Sequence, residues 1–333
     1  MSTKPVLQTT DLTIAFPAPD GSWKNVIQDV TLTVADGERV ALVGESGSGK
    51  SLTALAFLGL IPEPGRVLAG TTVSAGVEVS SASEEELCRV RGAEIGLVLQ
   101  EAAEALNPVY TIGFQLAETI RIHTGTSRSA AQLRAHELLA DAAVGDPDTV
   151  ARSYPHELSG GEAQRAMLAL ALAGEPRCLI ADEPTSALDV VTQMRVLELL
   201  ERLTSKHALG LLLISHDLLV VEGLVARVAV MYAGRIVEEA PTEELFHEPL
   251  HPYTQMLIGS APKRRVDQGE TGSATFAAIS RPASNGCPFH NRCPVADPTC
   301  AHDEPTLIEV VDGHSVRCPV AGASTVGRSG VKS

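Results

Sequence analysis

Gly44-Glu-Ser-Gly-Ser-Gly-Lys50-Ser51 follows the apolar run Arg39-Val-Ala-Leu-Val43 and precedes an Ala- and Leu-rich stretch that extends to Leu60. The spacing is G-x-x-x-x-G-K-[ST], and its flanks predict a strand before it and a helix after it. Glycines let the backbone wrap a polyphosphate, whose charge then meets amide N–H groups and a helix N-terminus. Gly44, Glu45, Ser46, Gly47, Ser48, Gly49, Lys50 and Ser51 are therefore candidate ATP-binding residues. Lys50 would reach the terminal phosphates and Ser51 would ligate Mg2+.

Three further stretches acquire meaning beside that loop. Cys178-Leu-Ile-Ala-Asp182-Glu183 predicts an apolar strand ending in two carboxylates, at the sheet edge where ligands bind in open α/β folds. Asp182 could hold magnesium and Glu183 could polarise an attacking water, although an acidic pair in that position also makes an ordinary helix cap. His216 follows Leu211-Leu-Leu-Ile-Ser215 and is expected at the same edge. Leu158-Ser-Gly-Gly-Glu-Ala-Gln-Arg165 opens another helix, so Ser159, Gly160 and Gly161 form either a second anion site or a plain Ser cap on a Gly-rich turn.

Alternating residues predict strands over Leu12–Phe16 and Val30–Val34, with Pro17-Ala-Pro-Asp-Gly21 as the turn-like stretch between them. Ser83 and Glu86 have capping-box spacing, Glu94 to Leu99 predicts a buried strand, and the pattern from about Thr111 to Val144 is helical. Strands are expected again at Arg177 to Ala181, Gly210 to Ser215 and Ala226 to Tyr232, with helices near Thr192 to Ser205 and Asp217 to Leu224. Such alternation implies a mostly parallel sheet flanked by helices. Polar composition from about Lys263 to Ser273 predicts a linker, and the end from Ala321 is expected to be disordered.

The 333 residues are 44% hydrophobic and 20% charged, enough for a sizeable core. A net charge of -15 and only 3% aromatic residues argue against broad contact with nucleic acid, which needs clustered cations and stacking platforms. Met1 to Asp11 lacks a basic segment followed by an apolar run, and no stretch approaches the roughly 18 apolar residues of a membrane span. A cytoplasmic location is the expectation. Cys88 and Cys178 stand alone, whereas Cys287, Cys293, Cys300 and Cys318 give C-x5-C-x6-C-x17-C. Four thiolates can hold an iron–sulfur cluster or a tetrahedral zinc, or remain unligated or paired as disulfides, and the spacing leaves that choice open.

Taken in order, Gly44 to Ser51, Gln100, Leu158 to Gln164, Asp182-Glu183, Ser186-Ala-Leu-Asp189 and His216 resemble the nucleotide-binding subunits of ABC transporters. The resemblance runs from about residue 5 to 260. It implies an α/β fold: a P-loop ABC ATPase core with a mostly parallel sheet, an antiparallel β subdomain, a helical subdomain over about 101–165 and a nucleotide-binding domain ending near 262. It further implies head-to-tail pairing with a second ABC ATPase subunit, so that each ATP lies between one phosphate loop and the other subunit's Ser-Gly-Gly. Phe16 would stack on adenine, Gln100 would link magnesium and water to the membrane partner, and Asp189 would couple the two sites. Glu183, His216 and Gln100 are then the catalytic set, with Ser51, Gln100 and Asp182 around Mg2+.

Leu106-Asn-Pro108, Ser153-Tyr-Pro-His-Glu-Leu158 and His251-Pro-Tyr-Thr254 narrow the likeness to dipeptide and oligopeptide importers, a group that includes nickel-chelate importers. That implies two permease subunits, an extracytoplasmic substrate-binding protein and attachment at the cytoplasmic face of the membrane. Departures lie after Gln100, where Glu-Ala-Ala-Glu-Ala follows, and in the Glu-Ala-Gln-Arg that continues the signature. Peptide-importer ATPases of this kind share the C-terminal cysteine pattern, which implies a [4Fe-4S] cluster on Cys287, Cys293, Cys300 and Cys318 in a loop-rich extension over 263–320. The other classes in view are a soluble ABC ATPase acting on nucleic acid or ribosomes and a redox-sensing ATPase switch.

Overall fold

An antiparallel hairpin, β1 (Pro5–Pro17) and β2 (Trp23–Ala35), begins the computed structural model, which describes residues 4–186, 188–260 and 286–320. Next come β3 (Arg39–Val43), α1 (Lys50–Phe57), β4 (Arg66–Ser74) and β5 (Val77–Glu78). Strands β2-β1-β4-β5 form a four-stranded antiparallel sheet. After α2 (Glu84–Val90), capped by the reciprocal Ser83–Glu86 box, β6 (Ile95–Val98) joins a second sheet.

Between β6 and the next strand lie α3 (Ala102–Ala105), α4 (Ile112–Thr124), α5 (Arg128–Asp141), α6 (Pro147–Arg152) and α7 (Gly160–Leu172). The chain continues through β7 (Cys178–Asp182), α8 (Val190–Lys206), β8 (Gly210–Ser215), β9 (Arg227–Tyr232), β10 (Arg235–Pro241), α9 (Thr242–His247) and α10 (Pro252–Gly259). Last come β11 (Ile308–Val311) and β12 (His314–Val316). The large sheet has the order β11-β12-β10-β9-β3-β8-β7-β6, parallel from β9 to β6.

Both faces of that sheet are covered, which explains why its strands are apolar without alternation. Val40 and Leu42 join the cluster under the antiparallel sheet and α1, while Ala41 and Val43 join the cluster under the helices. Alternate residues of β8 divide in the same way, Leu212 and Ile214 to one side and Leu211 and Leu213 to the other. Because β3, β6, β7 and β8 run in one direction, Gly44, Gln100, Glu183 and His216 all follow strand ends at a single edge.

Two expectations change. Asp217 to Leu224 forms only a 3-10 turn at Leu218–Val221, since β-branched Val220 and Val221 favour helix weakly and Gly223 takes φ 84°. The described part of the C-terminal extension is also more than loops: β12 pairs with β10, and β11 with β12, so the extension lengthens the main sheet. Arg317 fastens it further, its guanidinium donating to Asp29 Oδ2 (2.7 Å) and to the Ile236 carbonyl. The expected linker from about Lys263 and the expected disorder from Ala321 lie outside the described residues.

Candidate functional site

The loop after β3 turns tightly enough that two of its glycines have no substitute. A Cβ on Gly44 would collide with the Met231 carbonyl oxygen, and Gly49, at φ 111°, lies against Ile27 and the Met231 thioether. α1 begins immediately after Gly49, so its unpaired N–H groups face the loop. Ser48 is fully buried and its hydroxyl has no partner. Lys50, also buried, curls back to donate to the Gly44 carbonyl (2.8 Å) and the Glu45 carbonyl (3.1 Å). A glycine cradle, an orphaned hydroxyl and a lysine whose hydrogen bonds go to its own loop's carbonyls fit a polyphosphate, which would supply the missing acceptors.

Four of the predicted residues meet around that lysine. Ser51 Oγ donates to Asp182 Oδ1 (3.0 Å), Lys50 Nζ is 3.9 Å from Glu183 Oε1, and His216 Nδ1 is 3.1 Å from Glu183 Oε2. Burial pulls the Lys50 ammonium below the usual lysine range, against Glu183, Asp182 and Glu45, which favour its charge. Burial likewise raises the Asp182 carboxyl. A divalent cation beside Ser51 and Asp182 would offset the cost of the carboxylate, and a polyphosphate that of the ammonium. Glu183 takes φ 45°, a strained conformation for a non-glycine residue, held by its N–H donating to the Ile214 carbonyl. A cavity of about 200 Å3 lies beside Glu183 and His216, lined also by Thr185, Ser186 and Gln193.

The remaining predicted residues sit elsewhere or have partners in this chain. Gln100 is exposed just beyond β6, its carbonyl 3.5 Å from Ser186 Oγ. Phe16 is half-buried at the far end of β1, its ring over Gly65, where a Cβ would strike it. Ser159 caps α7 in a reciprocal box: its Oγ contacts Glu162 Oε2 (2.6 Å) and accepts from the Glu162 N–H. Asp189 caps α8, accepting from the Val191 and Thr192 amides. Both are real caps. Yet Gly160 has nothing within 4 Å of a would-be Cβ, and Gly161 meets only the Thr192 methyl and Arg165 at 3.6 Å or more. Among the described residues, no packing requires those two glycines.

A family model described as ABC transporter matches residues 27–186, and one described as oligopeptide/dipeptide transporter, C-terminal region, matches 237–300. The dipeptide transport ATP-binding protein DppD of Escherichia coli (strain K12) is 42% identical over 316 residues, 94% of this chain and 96% of DppD. The chain is an ABC transporter ATP-binding subunit.

A putative peptide import ATP-binding protein of Brucella abortus (strain 2308) is 40% identical to this ABC ATPase, covering 96% of each. Among solved structures, the dimeric bacterial ABC transporter cassette MJ0796 superposes with a TM-score of 0.64 at 26% identity, over 71% of this chain and 98% of that one. A second structure of MJ0796, in a post-hydrolysis state bound to ADP and Pi, gives 0.63. The fold class is thus the P-loop ABC ATPase, and the enzyme is an ATP-hydrolysing transporter subunit. Among the described residues no helix is long and apolar enough to cross a membrane.

The cysteines expected to hold a metal centre in this ABC ATPase lie in the described part of the extension. Cys287, Cys300 and Cys318 are buried and Cys293 is partly so, and the Cys287 N–H donates to the Cys300 carbonyl (2.8 Å). Burial pushes the Cys287 thiol up to about 11, and Cys318, Cys300 and Cys293 each add to the rise, so the four converge. They do not form a finished ligand set: among the described residues no three His, Cys, Asp or Glu side chains are placed to hold a metal ion. A thiol held up by burial and by neighbouring thiols, as at Cys287 and Cys293, is a poor ligand until its proton is displaced. The other two, exposed Cys88 and Cys178 within β7, belong to no such group.

Sequence reasoning passed over a ring of residues behind the loop. Tyr253 OH accepts from the Glu45 N–H (2.8 Å), and Arg292 forks onto the Glu45 carboxylate. The signals were present, Tyr253 in His251-Pro-Tyr-Thr254 and Arg292 between two cysteines. Neither carries a spacing that points to a loop more than 200 residues away.

Proposed function

We propose that this ATPase powers import of di- or oligopeptides, bound at the cytoplasmic face of the membrane to two permease subunits and served by an extracytoplasmic binding protein. The observation that carries the reading is near full-length similarity to a dipeptide transport ATP-binding protein, joined to the oligopeptide/dipeptide transporter match at 237–300. Two ATPases, identical or paralogous, pair head to tail. The glycines at 160 and 161, free of any intrachain demand, support a signature that receives the partner's nucleotide.

In this reading Gly44 to Ser51 wrap the triphosphate, Lys50 exchanges its loop carbonyls for phosphate oxygens, and Ser51, Asp182 and Gln100 surround magnesium. Glu183, fixed against His216, polarises the attacking water in the adjoining cavity. Phe16 supports adenine, and Asp189, capping α8 beside the Thr192 methyl near Gly161, links one site to the other. Cys287, Cys293, Cys300 and Cys318 would hold a [4Fe-4S] cluster, which would staple the extension. Iron and sulfide assays on protein purified without oxygen test that part; a colourless, iron-free and fully active preparation rejects it.

The cargo is tested with the transporter reconstituted in vesicles. Uptake of a labelled dipeptide that requires ATP supports peptide import. Uptake of a nickel chelate with no peptide uptake reassigns the cargo, and co-purification with RNA instead of permeases overturns the transporter reading.

A further inference from the structure

Glu45 is an acidic residue inside a loop shaped for an anion, and the fold supplies its counterion from the far end of the chain. Arg292 Nη1 donates to Glu45 Oε2 (2.9 Å) and Nη2 to Oε1 (2.8 Å), a fork-to-fork pair. The guanidinium is itself held: Nη1 reaches Tyr232 OH (3.3 Å), and its carbon lies 5.7 Å from the Tyr232 ring centre and 5.6 Å from that of Phe289. The two charged side chains are each about one-fifth exposed, 19% for Arg292 and 18% for Glu45, so water screens the pair incompletely.

The rest of Glu45 is fixed as well. Its N–H donates to Tyr253 OH, and its carbonyl accepts from Lys50. Phe289 packs against Tyr232, Tyr253 and His251, so the extension and the phosphate loop share one aromatic cluster. A second tie runs in parallel. Glu238, fully buried in β10, accepts from the Leu250 and His251 amides and from His314 Nε2 of β12, which sets the turn that presents Tyr253. When Lys50 turns to a bound triphosphate it gives up the Glu45 carbonyl. Tyr253 and Arg292 then remain to hold this end of the loop.

We propose that Arg292 is a positioning residue for nucleotide binding: carried by the cysteine-bearing extension, it neutralises Glu45 and keeps the phosphate loop receptive to a polyanion. The inference rests on the loop being the ATP site. Without Arg292, the Glu45 carboxylate would stand uncompensated beside the incoming phosphates and repel them. Arg292 lies in the turn His290–Arg292, directly before Cys293 and five residues after Cys287. Whatever fixes those two cysteines therefore fixes the counterion of the phosphate loop.

The test is equilibrium binding of a fluorescent ATP analogue, with Mg2+, to the full-length chain, together with ATPase kinetics of the assembled transporter. Arg292→Gln is expected to weaken binding and raise KM about tenfold while kcat changes less than twofold, with a loss that shrinks in high salt. Adding Glu45→Gln to Arg292→Gln is expected to recover most of the affinity, because the uncompensated charge is gone. Arg292→Lys, which keeps the cation and loses the fork, should cost about threefold and serves if the glutamine variant folds poorly. Unchanged binding in both Arg292 variants overturns the proposal, as does a loss that Glu45→Gln fails to rescue, which would make Arg292 a structural staple. A wild-type chain that binds no nucleotide analogue would defeat the ATP-site reading itself.

Discussion

Two helices of this chain begin at glycines, and the fold treats them differently. At α1 the glycines are demanded from within: a Cβ on Gly44 would collide with the Met231 carbonyl, and Gly49 holds φ 111° against Ile27 and Met231. At α7, among the described residues, nothing lies within 4 Å of a Cβ on Gly160, and the nearest neighbours of one on Gly161 are at 3.6 Å or more. The shape of the first loop is fixed from within, with buried Lys50 bonded to two carbonyls and Ser51 to Asp182. The second presents a capped but otherwise unpartnered helix start. Glycine at the first is explained by packing, while at the second no packing among the described residues calls for it.

That contrast can be broken experimentally. The largest effect is expected from Glu183→Gln, which should lower ATP turnover of the assembled transporter by roughly 100-fold or more while nucleotide binding persists. In this background ATP should hold two ATPase subunits together on size exclusion, and adding Gly160→Ala should abolish that pairing. Near-normal turnover of Glu183→Gln would remove Glu183 as the base. Pairing that survives Gly160→Ala would place the second helix start outside the interface.

Stability sharpens the comparison next. Gly44→Ala forces a methyl into the Met231 carbonyl and should cost roughly 3 kcal/mol or prevent folding, as measured by denaturant unfolding. Gly160→Ala should leave stability within about 0.5 kcal/mol, because its methyl would point into open space. Equal losses at the two positions would erase the distinction drawn here.

A graded effect, spread over pH, comes from the turn behind the loop. His251 is buried and neutral, its Nδ1 accepting from the Tyr253 N–H (3.0 Å), and burial lowers its pKa from 6.5 to about 4. The unfolded chain therefore takes up the proton first as pH falls. The contribution is fully present above pH 6.5 and is lost toward pH 4, at up to about 1.4 kcal/mol per pH unit and roughly 3 kcal/mol in all. His251→Asn keeps a cap acceptor without the titrating ring. Its unfolding free energy should fall less steeply than wild type across that window, and parallel curves would assign the acid sensitivity elsewhere.

Local chemistry made much of this legible in the sequence. Arg39–Val43 and Gly210–Ser215 have the predicted bounds because an unbroken apolar run has one stable place, the middle of a sheet covered on both faces. The Ser83–Glu86 box needed only neighbours three residues apart. Asp217 to Leu224 misled because a helical pattern there was too short to outweigh Val220, Val221 and Gly223. The hairpin of β11 and β12 escaped notice because its partner, β10, lies more than 70 residues earlier and short strands carry little pattern of their own.

Sequence by itself determined the loop from Gly44 to Ser51, the acidic pair and the glycine-bearing helix start, because each is a local arrangement whose chemistry is written in consecutive residues. Tertiary structure alone decided which of them meet. Parallel strands carry Ser51, Asp182, Glu183 and His216 to one edge, and the returning extension sets Arg292 on Glu45 across 247 positions. No spacing encodes that last contact. It exists because β12 completes the sheet beside β10 and buried Phe289 joins the aromatic cluster under the loop, burial that only the folded chain provides.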